Sequence, residues 1–146
     1  MQLRPAALAA VAVGGAAGTL ARTELGRILP SGPGLPWGTF VVNVVGAFLL
    51  GAGSALVLER LGPSRLVWPL YATGFCGSFT TMSTLAVEVD LKLRGGDLAP
   101  GLAYAVVSTT VGLAAVVAGM GLARRALTRN AGPPARGATP RRRPWS

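Results

Sequence analysis

Four long stretches of this 146-residue chain carry no charge. Trp37 to Leu58, Leu66 to Val87 and Leu98 to Ala123 are uncharged throughout, and Pro5 to Ala21 is uncharged up to Arg22. A bilayer core of about 30 Å takes about 20 apolar residues per helix. Only helices or closed barrels satisfy the backbone in lipid, and these runs lack the two-residue alternation of a barrel strand. The expectation is an all-α membrane protein with four transmembrane helices. Composition agrees: 13% of residues are charged, against about 25% in a soluble domain. So much apolar surface excludes a disordered chain. With one cysteine and no histidine, a disulfide framework, a cysteine zinc site and histidine chemistry are all excluded.

A signal peptide is the competing reading of the first run, since Arg4 precedes an Ala/Val stretch. The three spans that follow, with Arg22 and Glu24 closing the run, favour a helix. Turn residues punctuate the connections: Pro30 to Gly34, Gly62-Pro63-Ser64 and Gly95-Gly96-Asp97. Trp37 and Trp68 open the second and third spans, at the headgroup level that amphipathic rings prefer. From Arg124 onward come seven arginines and no acidic residue. That divides the chain into a membrane domain, residues 1–125, and a basic tail, residues 126–146, expected to be disordered and held near anionic lipid. Nucleic acid is the alternative partner for the Arg141-Arg142-Arg143 run; membrane lipid is favoured because the tail follows a membrane helix.

An even number of spans puts both termini on one side. That side holds Arg4, Arg60, Arg65, Arg124, Arg125, Arg129 and Arg136, against Arg27, Lys92 and Arg94 opposite. Seven charges against three place both termini in the cytoplasm.

Gly14 and Gly18 lie four apart, a spacing that lets helices approach closely. The third span holds Gly74, Gly77 and five hydroxyl residues between Ser78 and Thr84. Two readings stand: a packing seam, or a broken helix, which membrane proteins tolerate only inside protein or along a wet cavity and which aims backbone groups at ions. On the second reading Gly77→Val should do more harm than Gly53→Val. Cys76 is a small buried residue of this segment. Asn43 either bridges two helices or offers N–H donors to a desolvated anion. Tyr104 and Ser108, four apart, share a helix face. No Asp or Glu lies in the central part of any span, which favours passive conduction over proton-driven transport.

Together these residues resemble the CrcB/Fluc family of fluoride channels. The resemblance rests on Gly14-Gly15-Ala16-Ala17-Gly18 with Arg22, on Gly38 to Gly46 around Asn43, and on Gly74 to Thr84 ending in Glu88. It implies a break in the third helix, an antiparallel dimer in the bacterial inner membrane, and two pores that export fluoride. It also implies a structural sodium ion held by the backbone carbonyls of Gly77 and Thr80, with Arg22 in a vestibule. Asn43, Ser83, Thr84, Tyr104 and Ser108 fall on the pore-lining polar positions. Met82 and Leu85 stand where the family motif has two pore phenylalanines.

Neutral donors suit fluoride, which must exchange water for hydrogen bonds yet not be trapped by a full charge. The loss of both aromatic edges, with the charge bias, points to a subunit of fixed orientation that pairs with a homologue. A homodimer is the other arrangement, and a non-conducting assembly subunit the third. A proton-coupled exporter of cationic drugs would need a carboxylate deep in the first helix, which is absent between Met1 and Arg22. An enzyme would need a nucleophile, base and orienting group, which the spans do not assemble.

Overall fold

The computed structural model describes residues 5–29, 34–61 and 65–130. Arg4, most of the first turn, Gly62 to Ser64 and the tail from Ala131 lie outside the described residues. All regular structure among those described is helical: α1 (Pro5–Ile28), α2 (Trp37–Leu56) with a π turn at Val57–Leu61, a π-helix at Pro69–Cys76, α3 (Gly77–Phe79), α4 (Met82–Arg94) and α5 (Leu98–Asn130). Three helical stretches are long and apolar enough to cross a membrane: Pro5–Ile28, Trp37–Arg60 and Leu98–Arg129. The third sequence span is built from pieces instead.

That span is helical from Pro69 to Phe79 and helical again from Met82. Between them Thr80 (φ −79°, ψ 159°) and Thr81 (φ −147°, ψ 103°) are extended. Thr81 caps α4, its hydroxyl accepting from the Thr84 N–H at 3.1 Å, as N-cap threonines do. α4 ends at Gly95-Gly96. Gly96 adopts φ +89°, a left-handed value that glycine takes without a Cβ penalty, and its N–H returns to the Leu93 carbonyl at 3.2 Å.

Two glycine-lined seams hold the spans together. On α1 a Cβ at Gly14 would collide with the Leu70 carbonyl, and one at Gly18 with the Phe75 carbonyl. Reciprocally, a Cβ at Gly74 would lie 2.7 Å from the Val11 carbonyl oxygen. The second seam joins α2 to α5, where Gly51 faces the Val116 carbonyl and Gly119 the Phe48 carbonyl. Lipid supplies little hydrophobic force between helices, so close backbone approach and dense van der Waals contact drive their association. A ring ladder fills the space beside the first seam. Phe75 stacks on Tyr71 and on Phe79 with centroids 6.3 and 5.7 Å apart, and the Tyr71 hydroxyl donates to the Leu49 carbonyl on α2.

The expected ranking of glycine substitutions is reversed by this packing. A Cβ at Gly53 would overlap the outer edge of the Tyr71 ring, whereas at Gly77 its nearest neighbour is the Ala72 carbonyl at 3.7 Å, an ordinary contact. Gly53→Val is therefore expected to lower the yield of folded protein more than Gly77→Val, as read by the monodisperse fraction after purification.

At 33 residues, α5 is about 50 Å long at 1.5 Å per residue. That exceeds a bilayer core of about 30 Å, so its last turns, with Arg124, Arg125 and Arg129, project beyond the core. The helix passes the expected boundary at residue 125 and runs to Asn130. Glu59 pairs with Arg124 at 2.9 Å, and Arg60 donates to the Leu127 carbonyl at 3.0 Å. The end of α2 is thus tied to the end of α5.

Candidate functional site

The interruption at Thr80-Thr81 meets α2 at two residues one turn apart. Gly46 leaves room for the Thr80 methyl and the Phe79 ring. Asn43 answers the Thr81 peptide group with both ends of its carboxamide: Nδ2 donates to the Thr81 carbonyl at 3.0 Å, and Oδ1 accepts from the Thr81 N–H at 2.7 Å. A peptide taken out of a helix inside a membrane has no water to bond, so a carboxamide at this position replaces what the helix would have supplied. Of the two sequence readings for Asn43, bridging two elements is therefore its observed geometry. Its second Nδ2 hydrogen remains for another acceptor.

The same bonds free two carbonyls. In an unbroken helix the Thr81 N–H would reach the Gly77 carbonyl, and the Thr84 N–H would reach Thr80. Here the first donates to Asn43 and the second to the Thr81 hydroxyl. Neither the Gly77 nor the Thr80 carbonyl receives the N–H that an unbroken helix would send it, and both residues line a cavity of about 420 Å³. No cluster of His, Cys, Asp or Glu suited to a metal is found among the described residues. A cation here would meet neutral oxygens, from backbone, hydroxyl or carboxamide groups, and backbone oxygens are a donor type that broken membrane helices offer to Na⁺.

The cavity gathers Asn43, Gly77, Thr80, Met82, Leu85 and Ser108, six of the residues singled out from sequence. Met82 is 69% exposed and Leu85 is buried. Ser108, only 5% exposed, lines the cavity too, and its hydroxyl has no hydrogen-bond partner among the described residues. Ser83 and Thr84 are brought elsewhere. Their hydroxyls lie 3.2 and 2.8 Å from that of Thr81 on the exposed face of the α4 start. Arg22, half-buried on α1 one turn beyond Gly18, is not part of the cavity wall.

Tyr104 is buried on α5 and donates to Glu88 Oε2 at 2.8 Å, while Thr39 donates to Glu88 Oε1 at 2.6 Å. No arginine or lysine pairs with Glu88 among the described residues. Sequence reasoning assigned no role to Glu88 or Thr39. Just past the third span, one half-buried carboxylate is held by two hydroxyls where a cation would be usual. Its signal was available: it is the first acid after a long uncharged run, two turns beyond the break. Hydroxyls committed to Glu88 have spent their only hydrogen, so Tyr104 is an acceptor toward the rest of the site, and Ser108, one turn further along α5, is a buried hydroxyl that lies toward it.

Fold and site together define a multi-pass membrane protein with an interrupted helix at its centre and hydrogen-bonding groups gathered around the interruption. Over residues 9–120 the chain matches the family described as CrcB-like protein, Camphor Resistance (CrcB), and it belongs to that family. It is 48% identical over 119 residues to Fluoride-specific ion channel FluC 1 of Mycobacterium bovis, an alignment covering 81% of this chain and 90% of the relative. It is 44% identical over 145 residues to Fluoride-specific ion channel FluC 3 of Streptomyces avermitilis, covering 99% of this chain and 71% of that protein. A Fluoride-specific ion channel FluC of Rhizobium leguminosarum bv. trifolii is 40% identical over 116 residues, or 78% of this chain and 93% of the relative.

Proposed function

We propose that this chain is a subunit of a fluoride-selective ion channel through which fluoride leaves the cytoplasm passively. Membership of the CrcB family and the names of its relatives support the ion; the unpartnered Ser108 hydroxyl carries the reading from geometry. A buried polar group without a partner costs about 1–3 kcal/mol, so a site that keeps one has a use for the donor. Beside it, the spare Nδ2 hydrogen of Asn43 offers a second. Neutral donors replace fluoride's hydration without a cationic trap, which lets the ion leave as well as enter. Glu88 holds Tyr104 and Thr39 in place and keeps their hydrogens from competing for the anion.

The working unit in this proposal is an antiparallel dimer. Gly77, Met82, Ser83 and Thr84 are exposed on the single chain at the interruption, where lipid would leave polar groups unsatisfied. A second copy covers them. The Gly77 and Thr80 carbonyls of both subunits would then hold a structural sodium ion, which when bound adds positive potential beside an anion path. The subunit resides in the bacterial inner membrane, and the seven-to-three charge bias supports cytoplasmic termini. Arg22 serves as an approach group at the pathway's end, and Ser83 and Thr84 line the pathway beside the interruption.

A second reading has its own support. Met82 and Leu85 offer no aromatic edge, and the charge bias fixes one orientation. The chain would then be the partner of an oppositely oriented homologue with intact pores. Fluoride efflux from liposomes separates the two: efflux with this chain alone supports the homodimer, and efflux only after mixing with such a homologue supports the pair. In whichever preparation conducts, Ser108→Ala is expected to lower efflux per assembled protein at least about tenfold, since a hydrogen bond to a charged group contributes about 1.5–3 kcal/mol. Unchanged efflux would remove Ser108 from the path.

A further inference from the structure

Far from the interruption, a second cavity of about 510 Å³ opens among the end of α2, the start of the third span and the end of α5. Leu56, Val57, Val67, Leu70, Ala126 and Leu127 form its walls. Its one polar side-chain atom, the Tyr71 hydroxyl, is spent on the Leu49 carbonyl. The interior is therefore apolar, and it is in the size range of ligand sites, about 300–1,000 Å³.

Its surroundings are strongly cationic. Arg60 crosses from α2 to the carbonyl of Leu127, one of the wall residues, at 3.0 Å, which leaves most of its N–H donors unused. Arg65 precedes Val67 by two positions and Arg129 follows Leu127 by two; both are exposed, and neither side chain makes a hydrogen bond or ion pair with described residues. The acid of this region, Glu59, is neutralised by Arg124 at 2.9 Å. Trp68, 40% exposed, stands beside the same wall, and tryptophans settle at the headgroup level. An apolar slot that meets unpaired guanidinium groups at that depth matches a lipid with an anionic head, and basic pockets between membrane helices take such headgroups.

We propose that this groove is a binding site for an anionic phospholipid. One acyl chain lies against Leu56, Leu70 and Leu127, and the phosphate is met by Arg60 and Arg65, with Arg129 contributing at longer range. Guanidinium forks suit phosphate oxygens bidentately. A zwitterionic lipid would fill the slot equally well but would offset the phosphate charge with its own cation. The groove therefore selects by headgroup. This site is independent of the fluoride pathway, and a chain that conducted nothing would bind lipid in the same way.

Trp68 is the reporter. In the full chain with Trp37→Phe and Trp145→Phe, phosphatidylcholine liposomes are doped with either brominated phosphatidylglycerol or brominated phosphatidylcholine. Brominated phosphatidylglycerol should quench Trp68 at least about fivefold more effectively at low mole fraction, the effect of roughly one arginine near anionic lipid. Arg60→Gln with Arg65→Gln should remove that preference, Arg65→Lys should keep most of it, and Ala126→Phe, which fills the groove and leaves the arginines, should also remove it. Equal quenching by the two lipids in the unsubstituted background would overturn the proposal. So would a preference that survives the double glutamine variant, or one that vanishes only when residues 131–146 are deleted, since the tail would then be the binder. Protection of Trp68 from both lipids would mean that a second copy covers the groove, and would overturn it equally.

Discussion

Asn43→Asp is expected to reduce fluoride efflux per assembled protein at least about tenfold, with Asn43→Ala losing folded protein as well. The carboxamide spans one peptide group, donating to the Thr81 carbonyl and accepting from the Thr81 N–H. An ionised aspartate can still accept from the N–H, but it sets a second oxygen against the Thr81 carbonyl at the 3.0 Å where Nδ2 now sits. It also removes the spare donor and adds a negative charge beside an anion path, so repulsion and lost hydrogen bonding act together. Alanine leaves both Thr81 groups unpaired within the membrane span, at about 1–3 kcal/mol each. Serine is a shorter donor whose hydroxyl cannot span both peptide groups, so Asn43→Ser should resemble alanine. Efflux and the amount of assembled dimer are measured in the same liposomes. Normal efflux per dimer for Asn43→Asp would show that Asn43 is a brace and lies off the path.

The second large effect is expected at the seam between α2 and α5. Gly119→Val should leave little folded protein, whereas Gly121→Val on the same helix should behave like the unsubstituted chain. A Cβ at Gly119 meets the Phe48 carbonyl and, at 3.1 Å, the Ala52 nitrogen, while nothing lies within 4 Å of Gly121. Overpacking an interior usually costs about 1–3 kcal/mol, when flexible side chains can move aside. Here the obstacle is helix backbone, which yields only if the helices separate, so the cost should exceed that range. Gly51, which meets the Val116 carbonyl from the opposite helix, should respond like Gly119. Denaturant titration of the purified protein in detergent reads the difference. Equal stability of the Gly119 and Gly121 variants would mean that these backbones do not pack closely.

Hydrophobicity and small-residue spacing are properties of consecutive residues, which is why much of this architecture was open to reading. The uncharged runs marked where helices cross, and Gly14 with Gly18 marked a helix seam. The run of glycines and hydroxyls from Gly74 to Thr84 marked the stretch where regular winding is weakest. These features need no knowledge of what the chain folds against, because lipid is a uniform solvent that selects on length and polarity alone.

Other decisions belong to the tertiary structure. Sequence could name Asn43 but not its partner, since Thr81 lies 38 positions away and is reached only when α2 crosses the third span at Gly46. Glu88 looked like the edge of a span until Thr39, 49 positions earlier, and Tyr104, 16 later, were seen to enclose it. The ranking of Gly53 and Gly77 also turned on a neighbour, the Tyr71 ring, that no local pattern announces. The difference is physical. Burial in a membrane is decided residue by residue against the solvent, whereas a hydrogen bond is decided between two groups, and only the folded chain brings the second group within hydrogen-bonding reach.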